Sequence, residues 1–202
     1  FGEPISTKVA SFKHPDATVS GMVMLGSVKH AERSAEQQKF KGRIVVLGNL
    51  ITLLRSGEVV APKGRDFGLY GQVTSLAAFR AVAWHSTKQG NVLESADVAN
   101  AYLNALWPDM HATHFLRLDK NTYDLCSDEL KKKIDSMGGW QNVVLPMRRC
   151  LYGHPISGFI WIQLLHDWLL KQDFASVQGI PALYQRGDVI VCVYVLVNTN
   201  RL

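Results

Sequence analysis

Asp97 closes the β-rich run from Val92 to Val98. A carboxylate there is a hard oxygen donor suited to magnesium, and equally the cap of the next turn, which the local pattern alone favours. Lys41 and Arg43 stand on Lys41-Gly-Arg43-Ile-Val-Val. The planar guanidinium fork suits phosphate. The plainer reading is a solvated basic edge, on which Lys39 and Lys41 discourage strand pairing. Tyr102 by itself reads as a core aromatic. His111-x-x-His114 has the spacing of helical metal ligands, but Pro108 and Thr113 oppose a helix and no Glu or Cys completes a site. Both are expected as solvated loop histidines. Ser11, Ser157 and the seven histidines form no hydrolase elbow.

The elements that must position these groups follow from pattern. Val19 to Val28 is apolar and Gly-punctuated, a strand candidate, and His30 to Gln38 is polar and helix-tolerant. Arg43 to Leu47 is a β-branched strand closed by Gly48-Asn49. Thr74 or Ser75 caps a helix to about Lys88, stopped by Gly90-Asn91. Val92 to Val98, His114 to Leu118 and Val143 to Met147 are further strand candidates; Asp119-Lys-Asn121 reads as a turn and Leu130 to Met137 as a short helix ended by Gly138-Gly139. After Pro155, with Ser157 as N-cap, Trp161, Leu164, Leu165, Trp168 and Leu169 form one apolar helical stripe. Both tryptophans are therefore expected in the core, not as base-stacking platforms. Asp188 to Val197 is a long β-rich run. This order predicts an α+β fold, with helices packed on a mainly antiparallel sheet.

Composition bounds the partners. The 202 residues carry a net charge of +5 and are 47% hydrophobic, enough for a core and against wholesale disorder. The basic balance permits nucleic acid without singling it out. Cys126, Cys150 and Cys192 are odd in number and widely spaced, as in a reduced intracellular protein. No signal peptide and no membrane-length apolar run is visible, so the cytoplasm or nucleus is expected, with no membrane partner. The first residue is Phe1 and not Met, which reads as a fragment.

Five segments, in order, resemble landmarks of the copia-type retrotransposon reverse transcriptases. Lys41-Gly-Arg43-Ile-Val-Val resembles the family's K-A-R-L-V strand. Thr74-Ser-Leu-Ala-Ala-Phe-Arg80 resembles its T-S-L-R helix start. Asp97-Val-Ala-Asn-Ala-Tyr102-Leu-Asn104 resembles D-V-x-x-A-[FY]-L-N. Leu151-Tyr-Gly153, followed by Trp161, resembles L-Y-G and the Trp of the next helix, and Tyr194-Val195 falls where the family has Y-V-D-D. The resemblance spans residues 39 to 195.

It implies the fingers and palm of an RNA-directed DNA polymerase over residues 39–202, without a thumb, after an N-terminal segment of residues 1–38 that is a linker or the edge of the fingers. It implies Mg²⁺ held by Asp97 and the Val98 carbonyl, the triphosphate met by Lys41 and Arg43, and Tyr102 beneath the sugar. The implied partners are dNTP and an RNA or DNA template-primer. Two magnesium ions about 4 Å apart would need carboxylates converging from separate strands. Here the family's second acid pair is replaced by Leu196-Val197 after Tyr194-Val195, and Ile156 stands near a nucleotide-contacting Gln. The chain is thus expected to be an inactive copy, by decay or by a shift of reading frame near residue 195. The alternative is a non-catalytic nucleic-acid-binding remnant. Host, template and oligomeric state are not legible.

Overall fold

The computed structural model describes residues 1–60, 73–88, 90–109 and 111–194. In chain order the strands and helices are β1 (Ile5–Ser6), α1 (Thr7–Lys13), β2 (Thr18–Lys29), β3 (Lys39–Val46), β4 (Thr52–Leu53), α2 (Leu76–Lys88), β5 (His114–Arg117), α3 (Lys120–Asp124), α4 (Asp128–Ser136), β6 (Val143–Pro146), α5 (Ser157–Lys171), β7 (Ala175–Ser176), β8 (Leu183–Arg186) and β9 (Val189–Cys192). The fold is α+β: among the described residues, five helices accompany a mixed six-stranded sheet and a small antiparallel three-stranded sheet. The chain divides into two compact units, Phe1–Leu69 with Tyr102–Ser157, and Tyr70–Ala101 with Gly158–Leu202.

The first unit is built on the order β1-β6-β5-β2-β3, with β4 paired to the start of β2. Every pairing is antiparallel except β2 with β5. Alternation explains why β5 and β6 read as continuous apolar runs: successive side chains point to opposite faces, and here both faces are covered. Phe115 and Val144 pack with Ala10 of α1, Ala17, Val19 and Leu54. Leu116, Val143 and Leu145 pack with Ile134 of α4, Met22, Val46 and Leu151. Residues 1–38 thus lie within the first unit, β1 and β2 being strands of its sheet.

Burial runs out along β2. Met22 is 2% exposed, whereas Met24 and Leu25 are 39% and 53% exposed. From there β2 and β3 form a two-stranded ribbon, with Gly26 directly opposite Gly42, closing through a single 3-10 turn, Ala35–Gln37. That turn is all the helix that forms in the segment expected to tolerate one. Asp119-Lys-Asn121 is also more than a turn: the Asp119 carboxylate accepts from the Thr122 N–H at 2.8 Å and caps α3. Ser127 caps α4 in the same way through the Leu130 N–H.

The second unit is a meander of β7, β8 and β9, against which α5 lays Leu165 and Leu169 beside Phe174 and Tyr184. Gly187, with φ +56°, makes the tight β8–β9 turn. The Ser75 hydroxyl accepts from the Ala78 N–H, as a cap for α2 should. Thr74 fixes that entry by donating its hydroxyl to the Ala182 carbonyl at 2.7 Å and its N–H to that of Val193.

Two expectations are corrected here. Val92 to Val98 is not a strand but an exposed irregular stretch: β-forming side chains without a neighbouring strand do not make a ladder. On α5 the stripe is narrower than its five residues. Trp161 and Leu169 are buried, whereas Leu164 and Trp168 are 42% and 55% exposed, so Trp168 is not core. No described helix is long and apolar enough to cross a membrane.

Leu116, wholly buried in the larger core, is expected to lose about 2–5 kcal/mol of stability on Leu116→Ala, by lost transfer energy and a residual cavity. Phe40→Ala, at a side chain 87% exposed on the ribbon, is expected to change stability by no more than about 0.5 kcal/mol. Urea unfolding of the two variants checks the contrast.

Candidate functional site

The site assembles at the inner end of β3. Arg43 is exposed and Lys41 half-buried on that strand. The Arg43 guanidinium lies over the Tyr152 ring, 5.8 Å from its centroid. Tyr152 in turn stacks on Tyr102, with centroids 4.7 Å apart and planes 29° apart. Arg43, Tyr152 and Tyr102, distant in sequence, thus form one column of a cation and two rings. A cation over an exposed ring contributes about 0.5–1 kcal/mol, and a stacked pair a similar amount. Burial pushes the Tyr102 phenol above its usual range, and neighbouring Tyr152 pushes it the same way.

Backbone contacts hold the column. Tyr102 sits on the short 3-10 turn Ala101–Asn104. The Cys150 N–H donates to the Ala105 carbonyl, and the Arg149 guanidinium to that of Leu103 at 2.9 Å, tying this turn to the segment before Tyr152. Tyr152 is tied to β3 because the Val46 N–H donates to its carbonyl at 2.8 Å. The approach is possible because Gly153 has no side chain: its φ is +88°, and a Cβ there would run into the Val46 carbonyl oxygen. Gly48 makes the complementary approach to the Gly153 carbonyl.

The structure brings Arg43 and Tyr102 together through Tyr152, a residue for which the sequence pattern offered only the L-Y-G signature and no role. Asp97 and Val98 lie in the exposed irregular stretch after α2, in the other unit. Tyr194 is exposed and stacks on Phe79 at 5.8 Å. Val195, Leu196 and Val197 lie outside the described residues. Magnesium needs several hard oxygen ligands, carboxylates foremost. Among the described residues no group of three or more His, Cys, Asp or Glu could hold a metal. Among the described residues, then, no donor set around Asp97 fits a two-metal centre.

A second cluster was not foreseen. His114 is not a solvated loop residue but the first residue of β5, fully buried. Its neighbours in the fold, not its spacing from His111, decide this. His114 Nδ1 and the Thr18 hydroxyl are 2.7 Å apart. His114 meets His154 edge to face at 4.6 Å, and Trp107 meets His154 edge to face at 4.8 Å. Burial lowers His114 to about 3 and His154 to about 4, each further disfavoured as a cation by another histidine. Both rings are neutral at neutral pH and cannot serve as anion-binding charges there.

A consequence is pH-dependent stability. In the unfolded chain these histidines protonate near the ordinary histidine value of about 6.5, but in the folded protein only near 4 and 3. The unfolded state therefore binds more protons as pH falls below 6.5, and stability present above that value is lost toward pH 4. The expected loss is at most about 1.4 kcal/mol per pH unit for each ring. Urea unfolding at stepped pH checks this, and His154→Leu should make the dependence shallower. Compared with known proteins, the chain matches no family model, no curated protein and no solved structure.

Proposed function

We propose that this chain is a reverse-transcriptase-like fingers-and-palm domain of the copia type that keeps nucleotide-facing side chains and has lost polymerase chemistry. One observation carries the reading. Arg43, Tyr102 and Tyr152 come from three separate segments that resemble family motifs, and their side chains meet in a single column. Chance resemblance in three short segments gives no reason for their side chains to converge.

In this reading the ribbon β2–β3 belongs to the fingers. Lys41 and Arg43 meet a triphosphate, the guanidinium supplying paired donors to phosphate oxygens. Tyr102 lies beneath the sugar and crowds a 2′ hydroxyl, held in place by its stack on Tyr152. Binding and orientation are what these groups can supply. Phosphoryl transfer would need the second carboxylate pair, and the sequence has Leu196-Val197 in its place. Aliphatic side chains cannot ligand a hard cation.

The purified chain is expected to bind dNTP and to extend no primer on an RNA template with Mg²⁺. Removing a charge-assisted contact worth about 1.5–3 kcal/mol should weaken dNTP binding roughly 10- to 100-fold in Arg43→Ala. Titration calorimetry and a primer-extension gel are the measurements. Magnesium-dependent incorporation would overturn the loss of activity. Absence of dNTP binding, or its indifference to Arg43→Ala, would overturn the nucleotide site and with it the ancestry.

A further inference from the structure

The β2–β3 register sorts the ribbon into two unlike faces. Directly opposed residues of an antiparallel pair share a face, and alternate residues of each strand do too. With Met24 opposite Ile44, Gly26 opposite Gly42 and Val28 opposite Phe40, one face is wholly uncharged and apolar. Lys29, Lys39, Lys41 and Arg43 all lie on the other. The larger core reaches along the apolar face only as far as Met22 and Ile44. Beyond them Met24, Val28 and Phe40 are exposed, and among the described residues no large apolar side chain is more exposed than Phe40.

This face carries a projection and a hollow of matching size. Gly26 and Gly42 stand side by side, so one level of the ribbon has no side chain at all. The cavity there has a volume of about 320 Å³ and is lined by Gly26, Ser27, Val28, Phe40, Lys41 and Gly42. A cavity of about 150 Å³ already holds a benzene ring. The Phe40 ring stands one step of the face away, about 7 Å along β3. Glycine inside a strand costs stability and often marks a place where another backbone comes close. A flat apolar partner or a lipid surface would cover Phe40 and leave the hollow empty. A second copy of the ribbon fills both, because in a two-fold contact a surface must complement itself.

We propose that the apolar face of the ribbon pairs with the same face of a second copy of this chain. A two-fold axis running between the ribbons, midway between the Phe40 and Gly42 levels, lays β3 antiparallel over the partner's β3. Each Phe40 ring then enters the hollow over the partner's Gly42, and each Val28 comes over the partner's Gly26. The cations of both copies face outward. Stacked sheets lie about 10 Å apart, so the two charged faces are separated by more than the Debye length of about 8 Å in physiological salt. The contact is only two strands wide, well under the roughly 800 Å² per partner of a standard interface, so the dimer is a weak one that forms at high micromolar concentration. It requires neither nucleotide nor catalysis and is independent of the site proposed above.

Sedimentation velocity of the full chain, from low to high micromolar concentration, should show monomer passing to dimer. Phe40→Ala removes the ring and Gly42→Val fills the hollow, and each alone should weaken self-association roughly tenfold or more. Mixed in equal amounts, the two variants should recover the dimer. The Gly42→Val copy keeps its ring and the Phe40→Ala copy keeps its hollow, while the added bulk of one falls where the other has lost its ring. Phe12→Ala, at an equally exposed ring on α1, should change nothing. Thermal midpoints at low concentration should match that of the parent, so that lost association is not lost folding; if Gly42→Val lowers its midpoint, Gly42→Ala takes its place. The pairing is overturned by a parent that stays monomeric at the highest concentration, by self-association that Phe40→Ala leaves unchanged, by an equal loss in Phe12→Ala, or by a mixture no more dimeric than its components. Phe40-dependent binding to phosphatidylcholine vesicles by a chain that does not dimerise would also overturn it, and make the face a lipid contact.

Discussion

Phe115 and Leu116 are neighbours in the chain, and both are shielded from solvent on opposite faces of one short strand. Meeting that demand takes cover on each face, supplied by Ala10 of α1 on one and Ile134 of α4 on the other. Placing β2 parallel beside β5 completes the arrangement, because Val19 and Met22 then fall into the two cores in turn. Full burial of a side chain of this size stabilises by about 1.5–3 kcal/mol, so the pair outweighs any single surface contact in the first unit. The ribbon is the part of β2 and β3 that extends beyond this cover, which is why it can show two unlike faces to solvent.

Much of this architecture was readable where a residue pattern decides burial by itself. The runs that became β2, β3, β5 and β6 are apolar and β-branched, and α2 carries its capping serine at one of the two expected places. Elements whose stability comes from contact were not readable. Helix α1 buries only Ala10, which leaves no periodic stripe, and β8 is four residues long with half of them exposed. Val92 to Val98 has strand-like composition without a strand to pair with. Trp161, Leu165 and Leu169 share one i, i+4 line down α5, while Leu164 and Trp168 are turned about a quarter of the way round from it; periodicity shows that a helix is amphipathic but not how wide a sector its neighbours cover.

The candidate site shows the same division. Arg43 and Tyr102 could be singled out from residue type and motif, but their meeting through Tyr152 depends on Gly153 lying against the Val46 carbonyl. No local rule connects two glycines more than a hundred positions apart, Gly48 and Gly153, into a single close backbone approach. His114 makes the point from the other side: a polar residue read as solvated is among the most deeply buried side chains, because the rings of Trp107 and His154 and the hydroxyl of Thr18 enclose it.

The facing glycines Gly26 and Gly42 leave the ribbon without side chains at its waist, with open space where each Cβ would stand. Two-stranded ribbons twist more strongly than wide sheets, and glycine in a strand offers no side chain to pack. A side chain added at either position would meet no atom within 4 Å, so alanine at the waist would fill open space and displace nothing in the single chain.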